Sequence, residues 1–232
     1  MGKDVIIACD FPSGRAALDF LDGMKGAKPF VKIGMELFYA EGPEIVRELK
    51  RRGMKIFLDL KLHDIPNTVG SAMKVLSTLG VDMTNVHAAG GRAMMEAALA
   101  GLTRPDGTRP LLIAVTQLTS TSERMMRGEL LIEKPIGDVV ESYAKNAMAA
   151  GLDGVVCSPL EAGLVHGNVG AGFLTVTPGI RFAGGDVGDQ SRVTTPEKAK
   201  RLGSDYIVVG RPITRAEDPL AAYERCMADF VD

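Results

Sequence analysis

Eight short apolar runs, rich in β-branched residues, recur along the chain at residues 5–9, 30–33, 55–60, 83–86, 111–115, 154–156, 173–176 and 206–209. Spread over 232 residues they allow 29 residues per unit, which is what one strand, one helix and two short loops require. Between the runs, apolar residues fall three and four apart, as in Val69, Met73, Leu76 and Leu79, or Ile45, Val46 and Leu49, the spacing of a helix that buries one face. Strands that are apolar almost throughout need cover on both faces, so eight such units imply an α/β chain closed into a (β/α)8 TIM barrel, one domain over residues 1–232. The alternative is an open doubly wound sheet. Its G-x-G-x-x-G turn is missing after the first run, where Cys9 is followed by Asp10-Phe11-Pro12-Ser13-Gly14, and no Walker A sequence occurs.

Composition narrows the partners. A net charge of −2 gives no electrostatic case for nucleic acid or an acidic membrane surface, so any anion must be bound by local groups. The apolar run at residues 5–9 is far too short for a signal sequence or a membrane span, and a cytoplasmic location is expected. Cys9, Cys157 and Cys226 are scattered and lack the paired spacing of zinc sites or disulfide frameworks; they read as buried reduced thiols. His63, His87 and His166 are equally dispersed, so spacing proposes no metal site.

The segment Asp59-Leu60-Lys61-Leu62-His63-Asp64-Ile65-Pro66-Asn67-Thr68 sets three charges in an apolar context. On a strand, Asp59 and Lys61 share one face and Leu60 and Leu62 the other, and Pro66 can stop the strand and open a helix. The charges then stand at the C-terminal end of the third strand, the end where barrels carry their chemistry. Asp10 ends the first strand. Lys32 interrupts the second, and a buried ammonium needs a carboxylate, which Asp59 on the next strand can supply. A Lys32–Asp59 pair that merely fixes register is the plain reading. With Lys61 and Asp64 added, two lysines and two aspartates form a balanced array in which a charged lysine serves as a general acid. His63 reads as structural, and His87 is given no catalytic role.

After the seventh and eighth runs come Thr177-Pro178-Gly179-Ile180-Arg181 and Gly210-Arg211. Barrels frequently hold phosphate with these two loops, where backbone N–H groups and arginine forks meet the anion. The stretch from Phe182 to Gln190 has three glycines and no periodicity, so beside a phosphate site it reads as a lid. Gln117-Leu118-Thr119-Ser120, after the fifth run, offers groups suited to an amide or heterocycle.

Taken in order, Asp10, the Lys32 strand, DLKLHDIPNT, NVHAAGG, TQLTS, TPGIR, DQ and VVGR resemble the orotidine 5′-monophosphate decarboxylase family from the first strand to the last. The resemblance implies a (β/α)8 barrel that converts orotidine 5′-phosphate to uridine 5′-phosphate and carbon dioxide, the last step of de novo pyrimidine synthesis, with no metal and no organic cofactor. By position it implies that Lys61 protonates C6 of the pyrimidine and that Asp59 lies beside the departing carboxylate. Lys32 continues the charged chain. Asp64 and Thr68 would reach into the neighbouring subunit's site, making the enzyme a homodimer with shared sites. Asp10 and Lys32 would contact ribose hydroxyls and Thr119 the pyrimidine. Gln190 would be a lid residue joining base and phosphate, with Pro178, Arg181, Gly210 and Arg211 around the phosphate.

Two other readings stay open at this stage. Magnesium-dependent enzymes of the same superfamily, such as hexulose-phosphate synthase or keto-gulonate-phosphate decarboxylase, share an Asp-x-Lys-x-x-Asp core but are expected to carry an acid on the second strand, where this chain has the cation Lys32. A barrel that binds a phosphorylated metabolite without turnover is the second, since fold alone confers no activity.

Overall fold

In a computed structural model of the chain, which describes residues 3–182 and 193–232, the apolar runs are eight parallel strands. They are β1 (Asp4–Ala8), β2 (Phe30–Gly34), β3 (Lys55–Leu62), β4 (Met83–His87), β5 (Leu111–Val115), β6 (Gly154–Val156), β7 (Leu174–Thr177) and β8 (Tyr206–Val209). Each pairs with the next and β1 pairs with β8, which closes the barrel.

Alternation along each strand sorts the side chains into two cores. Ile6 and Ala8 of β1, Phe30 of β2, Phe57 of β3, Met83 of β4, Ile113 of β5, Val176 of β7 and Val208 of β8 fill the interior. Val5, Ile7, Val31, Ile33, Ile56 and Leu58 point outward under the helices. The helices α1 (Gly14–Asp22), α2 (Met35–Glu41), α3 (Pro43–Arg51), α4 (Pro66–Leu76) and α5 (Gly91–Leu102) cover the first half of this shell. The spacing noted in the sequence is the buried stripe of two of them: Ile45, Val46 and Leu49 on α3, and Val69, Met73 and Leu76 on α4. Helices α4 and α5 approach very closely at Gly70 and Gly101, where a Cβ on Gly101 would lie 2.1 Å from the Gly70 carbonyl oxygen.

The base of the barrel carries a repeated device. Gly80-Val81-Asp82, Gly151-Leu152-Asp153 and Gly203-Ser204-Asp205 each immediately precede an even-numbered strand. Each glycine has a positive φ (72°, 83° and 96°) that ends the preceding helical segment in a conformation L side chains resist. Each aspartate then grips one residue of the strand before. Asp82 Oδ2 accepts from the Ile56 N–H at 2.7 Å, Asp153 Oδ2 from Leu112 at 2.7 Å, and Asp205 Oδ2 from Thr175 at 2.8 Å. The aspartate's own N–H donates to the carbonyl of the same residue in all three cases, so three pairs of neighbouring strands are clasped at two points. Lys50, Arg109 and His166 in turn hold the three carboxylates.

Candidate active site

The interior apolar layer ends one step below the strands' C-terminal ends, and the next inward positions are polar. Moving two residues on from Ala8, Phe30, Phe57 and Met83 gives Asp10, Lys32, Asp59 and Asn85. A cavity of about 600 Å³ opens here, floored by Ala8, Phe57, Val115, Val156 and Val208.

Three ion pairs run along one wall of the cavity. Lys32 Nζ lies 2.9 Å from Asp10 Oδ1 and 3.3 Å from Asp59 Oδ2, and Lys61 Nζ lies 2.7 Å from Asp59 Oδ1. The charges alternate in sign from Asp10 through Lys32 and Asp59 to Lys61. The Lys32 and Asp59 side chains are 11% and 9% exposed, so the inner pair is cut off from bulk water while Lys61 and Asp10 face the cavity. Burial alone would discharge both inner groups, but the two neighbouring carboxylates outweigh it for Lys32, whose pKa is raised. Burial likewise opposes ionisation of Asp59. The charges of Lys32 and Lys61, with hydrogen bonds from Lys61 and Asn85, prevail and lower its pKa. Gly34 makes room for the array: a Cβ there would stand 3.0 Å from Asp10 Oδ1 and 3.1 Å from Lys32 Nζ.

Asp59 and Lys61 do meet, though not by the simple alternation that the sequence suggests. Lys61 has a φ of 52°, in the left-handed region, which costs a non-glycine residue about 1–2 kcal/mol. Pairing of β3 with β4 shifts here: Phe57 is opposite Met83 and Leu62 opposite Val86, so β3 advances five residues while β4 advances three. The two extra residues form a bulge that aims the Lys61 amine back at Asp59. Asn85 closes it, accepting from the Lys61 N–H at 2.8 Å through Oδ1 and donating to Asp59 Oδ1 at 2.7 Å through Nδ2. Sequence reasoning missed both Asn85 and Gly34. Inward parity from Met83 would have flagged the amide.

The remaining expected residues divide in two. Thr119, Pro178, Arg181, Gly210 and Arg211 line the same cavity as Asp10, Lys32, Asp59 and Lys61. Gln117, Leu118, Ser120, Thr214 and Arg215 join them there. Arg181 follows β7 and Arg211 follows β8, and a bridge between Ile180 and Thr194 ties the two ends of the intervening connection. Gln190 and most of the stretch read as a lid lie outside the described residues. Asp64 and Thr68 stand apart from the cavity. Both are exposed at the start of α4; the Asp64 carboxylate accepts from the Ile65 N–H, and among the described residues it makes no ion pair with Lys61. The His63 and His87 rings lie tilted at 35° to each other with centroids 5.7 Å apart. Burial, then the neighbouring His63 and Lys61, lowers the His87 pKa. Cys9, Cys157 and Cys226 are free and buried, and burial pushes the Cys9 thiol up to about 12. Among the described residues, no group of three or more His, Cys, Asp or Glu side chains could hold a metal ion, and no helix is long and apolar enough to cross a membrane.

Residues 3–226 match the Orotidine 5'-phosphate decarboxylase / HUMPS family. An orotidine 5'-phosphate decarboxylase of Geobacillus thermodenitrificans is 60% identical, across 99% of this chain and 98% of its own length. One from Bacillus cytotoxicus is 59% identical, across 97% and 95%. Among solved structures, an orotidine 5'-phosphate decarboxylase from Lactobacillus acidophilus superposes with a TM-score of 0.88 at 45% identity, covering 99% of this chain and all of that one. An uncharacterized conserved protein from Geobacillus kaustophilus superposes with a TM-score of 0.86 at 51% identity, covering 97% and 99%.

Proposed function

The chain belongs to the Orotidine 5'-phosphate decarboxylase / HUMPS family and catalyses the loss of carbon dioxide from orotidine 5′-phosphate in uridine 5′-phosphate synthesis, and from that premise we propose how its residues do so. Breaking the bond between C6 and the carboxylate leaves an electron pair in an sp² orbital that the ring delocalises poorly. Lys61 holds an ammonium at the cavity wall, fixed 2.7 Å from Asp59, and answers that charge as it develops. Its proton then passes to C6, and solvent reprotonates the amine to restore the ammonium. The carbon dioxide leaves without electrons from any cofactor. The Lys61–Asp59 contact in a buried, charge-alternating chain is the observation that carries this reading.

Asp59 faces the departing carboxylate, held ionised by Lys32 and Lys61. Asp10 and Lys32 take the ribose hydroxyls, and Thr119 meets the pyrimidine. Pro178, Arg181, Gly210 and Arg211 surround the phosphate, where arginine forks suit the anion. Lys32 also favours a metal-independent reaction: its ammonium already satisfies Asp10 and Asp59, the carboxylates a cation would need. The exposure of Asp64 and Thr68 fits a homodimer in which each subunit lends them to the other's site, so that Asp64 reaches the partner's amine. Gln190 completes the set as a lid residue between base and phosphate. The enzyme works in the cytoplasm, with no nucleic-acid or membrane partner.

Lys61→Ala tests the assignment. Decarboxylation, followed by the ultraviolet absorbance of orotidine 5′-phosphate with EDTA present, should be abolished while uridine 5′-phosphate still binds. Substantial turnover by that variant, or loss of wild-type activity in EDTA with recovery on adding magnesium, would refute it.

A further inference from the structure

We propose that Asn85 is a positioning residue for the reaction: its side-chain amide sets the backbone of Lys61 and the carboxylate of Asp59 at once, and so aims the proton donor. The assignment rests on the reading of Lys61 as that donor.

At the β3 bulge, β4 bonds two backbone groups of β3 through adjacent side chains. Thr84 Oγ1 donates to the Leu58 carbonyl at 3.0 Å, and Asn85 Oδ1 accepts from the Lys61 N–H. Both residues are 0% exposed. An unpaired polar group at such depth is costly, so each bond stabilises the bulge. Only Asn85 also touches the charged array.

The orientation of the Asn85 amide follows from chemistry. A backbone N–H can only donate, so the atom facing Lys61 is oxygen. An ionised carboxylate can only accept, so the atom facing Asp59 is nitrogen. The amide thus bridges a left-handed backbone, whose φ of 52° needs outside support, and the carboxylate that this lysine's own amine grips. Lys61 is held at its N–H and at its Nζ, and both tethers lead to one carboxylate oxygen, Asp59 Oδ1. Loss of the amide frees the main chain to leave the left-handed region. The amine swings away from where C6 must sit, while the residues proposed to hold the phosphate, Arg181 and Arg211, are left untouched.

The test compares four variants by stability, uridine 5′-phosphate binding and kinetics. Asn85→Ala should lower kcat by about 100-fold, the cost of misplacing a reacting group by roughly 1 Å, with KM within about threefold of wild type. Thr84→Val unpins the other half of the bulge; it should lower stability yet change kcat by less than about threefold, well short of that misplacement cost. Asn85→Asp keeps the acceptor for Lys61 and, once protonated, regains a donor for Asp59. Its activity relative to wild type should therefore climb as pH falls from about 8 to 6, because a buried carboxyl beside an ionised one titrates far above its usual range. A kcat for Asn85→Ala within threefold of wild type, an equal kcat loss in Thr84→Val, or a pH profile for Asn85→Asp parallel to wild type would each overturn the assignment. An active Lys61→Ala would instead overturn the proton-donor reading, so the two failures are distinguishable.

Discussion

Replacing Asp59 by Asn removes one charge from the array and almost no volume. The carboxylate sits 2.7 Å from one ammonium and 3.3 Å from another. At an effective dielectric of about 20 these separations correspond to about 6 and about 5 kcal/mol of attraction. Burying the carboxylate costs several kcal/mol, which the substitution returns, and Lys32 keeps Asp10 at 2.9 Å. The net loss should be about 3–5 kcal/mol, typical of removing one partner from a buried pair. Guanidinium unfolding at neutral pH would measure it. Activity should fall by at least about 10³-fold, since the amine of Lys61 loses the group that fixes it. A variant within about 1 kcal/mol of wild type would show that Lys32 and Lys61 are held by something other than Asp59, and would defeat the electrostatic argument. Sign also matters. With its folded pKa lowered, Asp59 contributes stability above the ordinary carboxylate value of about 3.9 and loses it as pH falls through the folded value, so the gap between the proteins should close in acid.

Arg211→Ala should lower kcat/KM for orotidine 5′-phosphate by about 10²-fold or less, the worth of a charged hydrogen bond of about 1.5–3 kcal/mol. The rate with orotidine, which lacks the phosphate, should be unchanged; an equal loss on both substrates would mean that Arg211 does not act through the phosphate. Gly101→Ala drives a methyl into the Gly70 carbonyl, and about 1–3 kcal/mol of overpacking outweighs a gain of about 0.5–1 in helix propensity. Its melting temperature should fall by several degrees, and an increase would show that α4 and α5 can part freely. With its folded pKa lowered by burial, His87 binds protons more readily on unfolding, so wild type should lose stability relative to His87→Asn as pH falls through the ordinary histidine value of about 6.5. A constant difference as pH crosses that value would mean that His87 titrates normally.

Much of this was legible in advance because burial writes itself into the sequence. Nearly continuous apolar runs gave the strands to within two residues at either end, and Lys32 and Asp59 were conspicuous as charges inside them. Counting units placed Arg181 and Arg211 correctly after β7 and β8. The bulge at Lys61 was not legible. Nothing in Asp-Leu-Lys-Leu distinguishes a regular strand from one with a left-handed residue, since the cause is the side chain of Asn85 on another strand. Gly34 was invisible for the same reason, being small on behalf of its neighbours Asp10 and Lys32. The partners of Asp64 and Thr68 cannot be found within one chain if they belong to a second.

The clasps at the barrel's base have a consequence for how the molecule comes apart. Aspartates staple β3 to β4, β5 to β6 and β7 to β8, while the matching place ahead of β2 holds Pro29, which has neither a carboxylate nor an N–H to give. The seam between β1 and β2 is instead stitched at its far end, by Asp10 and Lys32 across the mouth of the cavity. Native-state hydrogen exchange should therefore be slowest at the amides of Ile56, Leu112 and Thr175 and faster along the first seam. The two side chains proposed to take the ribose hydroxyls thus double as a fastener, and a substitution at either disturbs both duties.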